Sequence, residues 1–338
     1  MSLSSEDDIL GIIGTFFPAG HPSLLLGRGD DCAVLRPGGP LAVTTDVFVE
    51  DSHFRRRYFD PFDIGFKALA VNVSDVGASG ARPTGFSIGL TLTGAEDEAW
   101  ISEFCAGMKA LCDEFSLAVS GGDLARADKL NVCVTAWGEL PEGLPQGLRR
   151  GAAREGDIIF LAGRPGLARL GLTLLEEAPS DEDCRRIRMS WPDACTAHLR
   201  PEPLAGEGMA IGRFALEHDL QDSIGLMDVS DGLARDLPRL LASSRSGLGA
   251  DIVLSPDDLS DEILHHAESR GMSAVDFAFA GGEDYALAGT CPARHWPELA
   301  RVLAAFPTPV FVLGEVRKGP LTLNGRPPRC PGFDHFSR

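Results

Sequence analysis

Segments of strand and helix character alternate on both sides of one turn-rich break, Pro141-Glu142-Gly143-Leu144-Pro145-Gln146-Gly147. Proline cannot donate to a strand ladder and glycine enters turns cheaply, so this cluster ends regular structure and reads as an interdomain connection. Before it, Leu41 to Phe48 and Leu130 to Trp137 read as strands. Between them, Pro61 starts a helix running through Ile64, Lys67, Ala68 and Val71 to Asp75, which sets Asn72 and Asp75 on one face. Trp100, Phe104, Met108, Leu111 and Phe115 recur at helical spacing, a stripe suited to core packing. After the break, Asp157 to Gly163 reads as a strand, Glu202 to His218 as a helix and Ile224 to Asp228 as a short strand. Gly232 to Ser243 then reads as a helix capped by Ser230 or Asp231, and Phe306 to Val316 as a late strand pair or bend. A chain of 338 residues exceeds one ordinary core. The expectation is two α/β domains, residues 1–145 and 146–338.

Charge narrows the partners. A formal net charge of −18 opposes any role that depends on neutralising nucleic-acid or anionic-membrane phosphates, so small molecules or a second copy are the expected partners. The eight cysteines form no C-x-x-C pair and no zinc-type grouping with histidine, and they read as reduced, mostly buried thiols. No apolar run approaches the ~20 residues of a membrane span, and the first residues lack a basic stretch followed by an apolar one. A soluble, cytoplasmic protein is expected.

Aspartates recur beside Gly, Ser or Thr: Gly29-Asp30-Asp31, Thr44-Thr45-Asp46, Asn72-Val73-Ser74-Asp75, Gly121-Gly122-Asp123 and Asp228-Val229-Ser230-Asp231-Gly232. The usual phosphate-binding signatures are missing. No lysine follows glycine and precedes Ser or Thr, as a P-loop needs, and Gly27-Arg28-Gly29-Asp30-Asp31 puts two acids where a dinucleotide pyrophosphate would approach. Carboxylates repel phosphate directly, but together with hydroxyls they can hold magnesium, whose shell is completed by substrate phosphate oxygens. One such motif alone is ordinary turn and cap chemistry. Five in one chain point to metal-bridged phosphate. Gly281-Gly282-Glu283-Asp284-Tyr285 adds a Gly-Gly turn before two acids, able to expose Glu283 in a cleft. His53 precedes Arg55-Arg56-Arg57 and could hydrogen-bond a substrate phosphate or pyrimidine, a role for which it ranks above the arginines.

Taken in order with Ser52-His53-Phe54, Lys67-Ala68-Leu69-Ala70 and the terminal Gly332-Phe333-Asp334-His335-Phe336, these blocks resemble the thiamine-monophosphate kinases. That family belongs to the superfamily of aminoimidazole ribonucleotide synthetase. The resemblance implies an α/β (α+β) fold, with an N-terminal mixed sheet and helices that form a homodimer, and a C-terminal α/β domain. It implies magnesium-assisted, in-line transfer of the γ-phosphoryl group of ATP to thiamine monophosphate, with no general base. By motif, Asp31, Thr44, Thr45, Asp46, Asp75, Asp123, Asp228 and Asp231 would ligate several Mg2+ ions; Gly121, Gly122, Arg150 and Ser230 would touch ATP; His53, Glu283 and Phe333 would line the thiamine site. The chain departs from the family pattern at Leu124, Leu204, Ala286 and Cys330. The alternative readings are another ATP-dependent member of the superfamily, such as aminoimidazole ribonucleotide synthetase, or a non-catalytic nucleotide-binding homologue.

Overall fold

The computed structural model describes residues 5–242 and 247–329. Contacts divide them into two units, one holding the described residues through Val76 with Ala81–Leu140, the other Gly77–Gly80 with the described residues from Pro141 onward.

In the first unit, helix α1 (Glu6–Phe16) opens on a capping box in which the Ser5 hydroxyl accepts from the Asp8 amide and the Asp8 carboxylate accepts from the Ser5 amide. Strands β1 (Leu24–Leu26) and β2 (Val34–Leu35) pair with each other. There follow β3 (Leu41–Val49), α2 (Pro61–Ala78), β4 (Arg82–Leu92), α3 (Glu98–Phe115), β5 (Ala118–Arg126) and β6 (Asn131–Glu139). The four long strands form one sheet in the order β3-β6-β4-β5, antiparallel except for β4 and β5. Parallel neighbours need a crossover, and α3 supplies it.

Alternation along the strands gives this sheet two unlike faces. Val134, Phe86 and Leu90 are buried on the face that packs under α3, where the helical stripe contributes Phe104, Met108 and Leu111. Val43 and Val47 point the other way and are 63% and 51% exposed. Helices α2 and α3 touch backbone to backbone. A Cβ on Gly65 would lie 2.1 Å from the Phe104 carbonyl oxygen and one on Gly107 would lie 2.0 Å from that of Phe62, so neither site has room for a side chain.

The second unit runs β7 (Asp157–Ala162), α4 (Leu167–Glu177), α5 (Asp181–Ser190), α6 (Pro192–Leu199), α7 (Ala205–Glu217), β8 (Gly225–Val229), α8 (Leu233–Ala242) and β9 (Leu248–Ile252). It continues through α9 (Asp261–Arg270), α10 (Ala274–Phe279), β10 (Ala286–Pro292), α11 (Trp296–Leu303), β11 (Val310–Lys318) and β12 (Thr322–Leu323). Its six-stranded sheet has the order β12-β9-β11-β7-β10-β8 and is antiparallel except for β12 against β9. Strand β8 is buried at every residue, so it lacks the polar alternation of a half-exposed strand. Ile159, Leu161, Met227, Val229, Leu237 and Leu240 lie in the core of this unit.

Two local expectations change. The segment 306–316 contains a single strand, because Pro307 and Pro309 cannot donate to a ladder and β11 starts only at Val310. The start of α8 is tied down by Asp236, whose buried carboxylate accepts from the Asp231 amide, instead of by a cap from Ser230 or Asp231. No helix among the described residues is long and apolar enough to cross a membrane.

Candidate functional site

Only part of the aspartate recurrence is turn chemistry. Thr44-Thr45-Asp46 lies inside β3, Asn72 to Asp75 inside α2, and Gly121-Gly122-Asp123 inside β5. Tertiary pairing overrides local turn preference at Gly122, where a Cβ would sit 1.8 Å from the Ile88 carbonyl oxygen of the neighbouring strand. Gly121, at φ +153°, follows the register shift between β4 and β5, a bulge that bends the strand at this point.

In the first unit the structure brings together Thr44, Asp46 and Asp75. Residues two apart share a strand face, so Thr44 and Asp46 point the same way. The Thr44 hydroxyl donates to Asp75 Oδ2 at 2.6 Å across to α2. Burial, reinforced by the charge of Asp75, pushes the Asp46 carboxyl up to about 6. A hydroxyl and two carboxylates are the oxygen donors magnesium takes, and a cation bound there would remove the penalty on ionised Asp46. This donor set fits the ion.

Other predicted ligands fall elsewhere. Thr45 is on the opposite face of β3, hydrogen-bonded to Thr135 at 2.9 Å. Register places Thr45, Thr135, Ser87 and Gly121 in line across the four strands. Asp123, two residues beyond Gly121, therefore shares the open face with Thr45 but lies on the other edge strand, three strand spacings or about 14 Å away. Asp31 is exposed on the loop after Gly29, beside Asp30, whose carboxylate accepts the Asp31 amide at 2.9 Å.

His53 closes the turn after β3. Its Nδ1 accepts from the Val49 amide at 3.1 Å, so the neutral ring carries its proton on Nε2. The neighbouring Arg56 is engaged by Glu50 at 2.9 Å and by the buried Glu96, which removes it as an anion receptor.

In the second unit, two loops carry the predicted residues and are joined through their backbones. The Glu283 amide donates to the Ser230 carbonyl at 2.8 Å, and the Tyr285 amide to that of Val229 at 3.0 Å. Gly232 and Gly282 permit the approach, since a Cβ on either would lie 2.7 Å from a carbonyl oxygen of the facing loop. Asp228 is buried in β8 and Ser230 lies just past its end. The Asp231 carboxylate meets Arg239 at 2.6 Å and Arg235 at 3.7 Å, so it is already charge-compensated. Arg150 is exposed at the far end of β8, next to the bridge between Arg149 and Gly225. Five residues of strand rise, about 16 Å, separate Gly225 from Ser230, so Arg150 and Ser230 can share only an extended ligand.

Glu283 has a left-handed backbone, φ +64°, and its Oε2 lies 3.0 Å from Nδ1 of the fully buried His198. Asp284 accepts the Gly166 and Ala168 amides at 2.6 and 3.0 Å, anchoring the turn on the start of α4. Neither His198 nor the anchoring role of Asp284 emerges from sequence spacing. His198 stands 85 positions from Glu283, and its only local signal is the block His198-Leu199-Arg200-Pro201. Two departures from the family pattern are packing residues here, Leu124 facing the apolar space lined by Ile13 and Phe17, and Ala286 buried against Gly163. Phe333 and Cys330 lie outside the described residues.

Residues 29–140 match the family described as AIR synthase related protein, N-terminal domain. The chain is 34% identical to thiamine-monophosphate kinase of Escherichia coli K12 over 331 residues, which is 92% of each chain. It superposes on the crystal structure of thiamine-monophosphate kinase from Stenotrophomonas maltophilia K279a with a TM-score of 0.78, 31% identity and 95% and 96% of the two chains covered. A structure of AaThiL complexed with AMPPCP and TMP gives a TM-score of 0.69 at 27% identity, covering 98% of this chain and 97% of that one.

Proposed function

The chain belongs to the thiamine-monophosphate kinase family, and from that premise we propose how its own residues serve the reaction. The protein transfers the γ-phosphoryl group of ATP to the phosphate of thiamine monophosphate, giving thiamine diphosphate and ADP. The observation that carries this reading is similarity to these kinases over 92% of the chain, combined with a Thr44, Asp46 and Asp75 donor set that gains from a cation.

The attacking oxygen of a phosphate monoester is already an anion at neutral pH, so the protein needs no general base. Its task is to position two anions against each other. Thr44, Asp46 and Asp75 would hold magnesium, with Asp31, Thr45, Asp123, Asp228 and Asp231 as ligands of further ions, and the metal would supply the charge neutralisation that this approach requires. Gly121, Gly122, Arg150 and Ser230 contact the nucleotide. His53 offers its Nε2 proton to the substrate, Glu283 offers a carboxylate to the cationic thiazolium or the aminopyrimidine, and Phe333 offers a stacking face.

Thr45 and Asp123 lie too far apart to share an ion within one chain. We infer a homodimer formed through the edge strands of the four-stranded sheet, in which β5 of one copy brings Asp123 to Thr45 on the open face of β3 of the other, while Asp46 serves the site from the reverse face of that same strand. The exposed Val43 and Val47 support a covered face there. We assign the protein to the cytoplasm, since the described cysteines are all free thiols, most of them buried.

The decisive assay supplies magnesium, ATP and thiamine monophosphate and follows thiamine diphosphate by chromatography. Product accumulation is expected. No product, with aminoimidazole ribonucleotide formed from its formylglycinamidine precursor instead, would overturn the reading.

A further inference from the structure

Glu283 is held on all sides. Its backbone sits in the left-handed region, which costs a residue bearing a side chain on the order of 1 kcal/mol or more and persists only where the surroundings enforce it. The surroundings do so here: the amides of Glu283 and Tyr285 bond the 228–232 loop, and the Asp284 carboxylate bonds the start of α4. These contacts fix the backbone. His198 meets the side chain itself.

His198 lies near the end of α6, where α4 packs so closely that a Cβ on Gly171 would lie 2.1 Å from the Ala194 carbonyl oxygen and 2.9 Å from the His198 Cβ. The ring is fully buried, whereas the Glu283 side chain keeps 26% exposure. A carboxylate can only accept, so Nδ1 carries the proton of this 3.0 Å contact. An imidazole donating from Nδ1 at a fixed, buried position orients the carboxylate. The exposed part of the Glu283 side chain faces the solvent side, from which a cationic ligand would arrive.

We propose that His198 is a positioning residue for the thiamine-side carboxylate, its Nδ1 proton locking Glu283 in the rotamer that meets the thiazolium or aminopyrimidine. The proposal rests on the reading of Glu283 as a thiamine-site residue. Because the donor sits at the Nδ1 position, an asparagine amide can replace it and a glutamine amide, one bond longer, cannot.

The test compares His198→Asn, His198→Gln, His198→Leu and Glu283→Gln in full-length protein, with KM measured separately for thiamine monophosphate and for ATP. His198→Leu and His198→Gln should raise KM for thiamine monophosphate about tenfold or more, the loss of one charge-assisted hydrogen bond. KM for ATP should stay within about twofold, and His198→Asn should recover most of the loss. Combining His198→Gln with Glu283→Gln should add little to the single change. Equal effects of Asn and Gln, or parallel rises in both KM values, would show that His198 only fills space. If His198→Leu does not fold, the Asn and Gln pair decides alone. If Glu283→Gln leaves KM for thiamine monophosphate unchanged, the assignment of Glu283 itself is wrong, an outcome distinct from failure of the positioning role.

Discussion

The hydroxyl of Thr44 donates to Oδ2 of Asp75 at 2.6 Å, tying the middle of an edge strand to the helix that crosses behind it. The bond joins residues 31 positions apart and holds two carboxylate-bearing elements at a fixed separation. Thr44→Val keeps the shape and removes the donor. Stability should fall by about 1–2 kcal/mol, the value of a hydrogen bond to a charged group, read from urea unfolding. The magnesium concentration giving half-maximal turnover should rise, and an unchanged magnesium dependence would remove Thr44 from the ion site.

Asp46 yields a pH prediction with a definite sign. Burial and Asp75 raise its carboxyl from an ordinary 3.8 to about 6 in the folded protein. An acid raised on folding stabilises the fold while protonated, and that contribution is lost as pH climbs from about 4 through 6. Without metal, Asp46→Asn should therefore raise stability at pH 7.5 by about 1–2 kcal/mol after allowance for solvent screening, a Tm increase of about 2–6 °C. The gain should vanish near pH 4. Turnover should be abolished. A variant destabilised at pH 7.5 would contradict the electrostatic account.

Hydrophobic periodicity made the two helices flanking the central strand of the first unit legible, because Phe104, Met108 and Leu111 repeat at the helical interval and do pack inward. Strand β4 left a weaker trace, since a strand between two neighbours and under a helix lacks clean alternation and carries glycines where backbones approach. Gly121-Gly122-Asp123 looked like a turn because local propensity cannot register the Ile88 carbonyl that makes glycine obligatory in an extended strand. The acids were legible as a class from composition and order. Their grouping was not, because whether Asp46 meets Asp75 or Asp123 depends on sheet order, and the tie between His198 and Glu283 depends on the 281–285 loop folding back onto α6.

Arg239 shows how one predicted ligand is held. Its guanidinium contacts Asp231 at 2.6 Å and the buried Asp236 at 3.0 Å. Burial raises the Asp236 carboxyl while Arg239 opposes the shift. Arg239→Met should cost about 1–3 kcal/mol at pH 7.5, because it leaves a buried carboxylate with less compensation. Without the arginine, Asp236 binds its proton more tightly in the folded state. The deficit should therefore shrink as pH is lowered toward 5, since a protonated acid needs no counter-ion. A deficit constant from pH 5 to 8 would mean that Arg239 contributes packing alone.

The separation of Thr45 from Asp123 makes the shared dimer site testable by complementation. Asp46→Asn and Asp123→Asn should each be inactive as homodimers. If each site draws β3 from one copy and β5 from the other, a mixed dimer concentrates both lesions in one site and leaves the second site intact. Equal amounts unfolded and refolded together give half mixed dimers by statistics, each with one working site, so activity should recover to about a quarter of wild type. If each site is built within one chain, every site in the mixture carries a lesion and activity stays at background. The outcome turns on geometry alone, because both variants keep their backbone and lose one charge. Coexpression with two affinity tags isolates the mixed dimer directly, and half the wild-type rate in that fraction is the result expected of a site shared across copies.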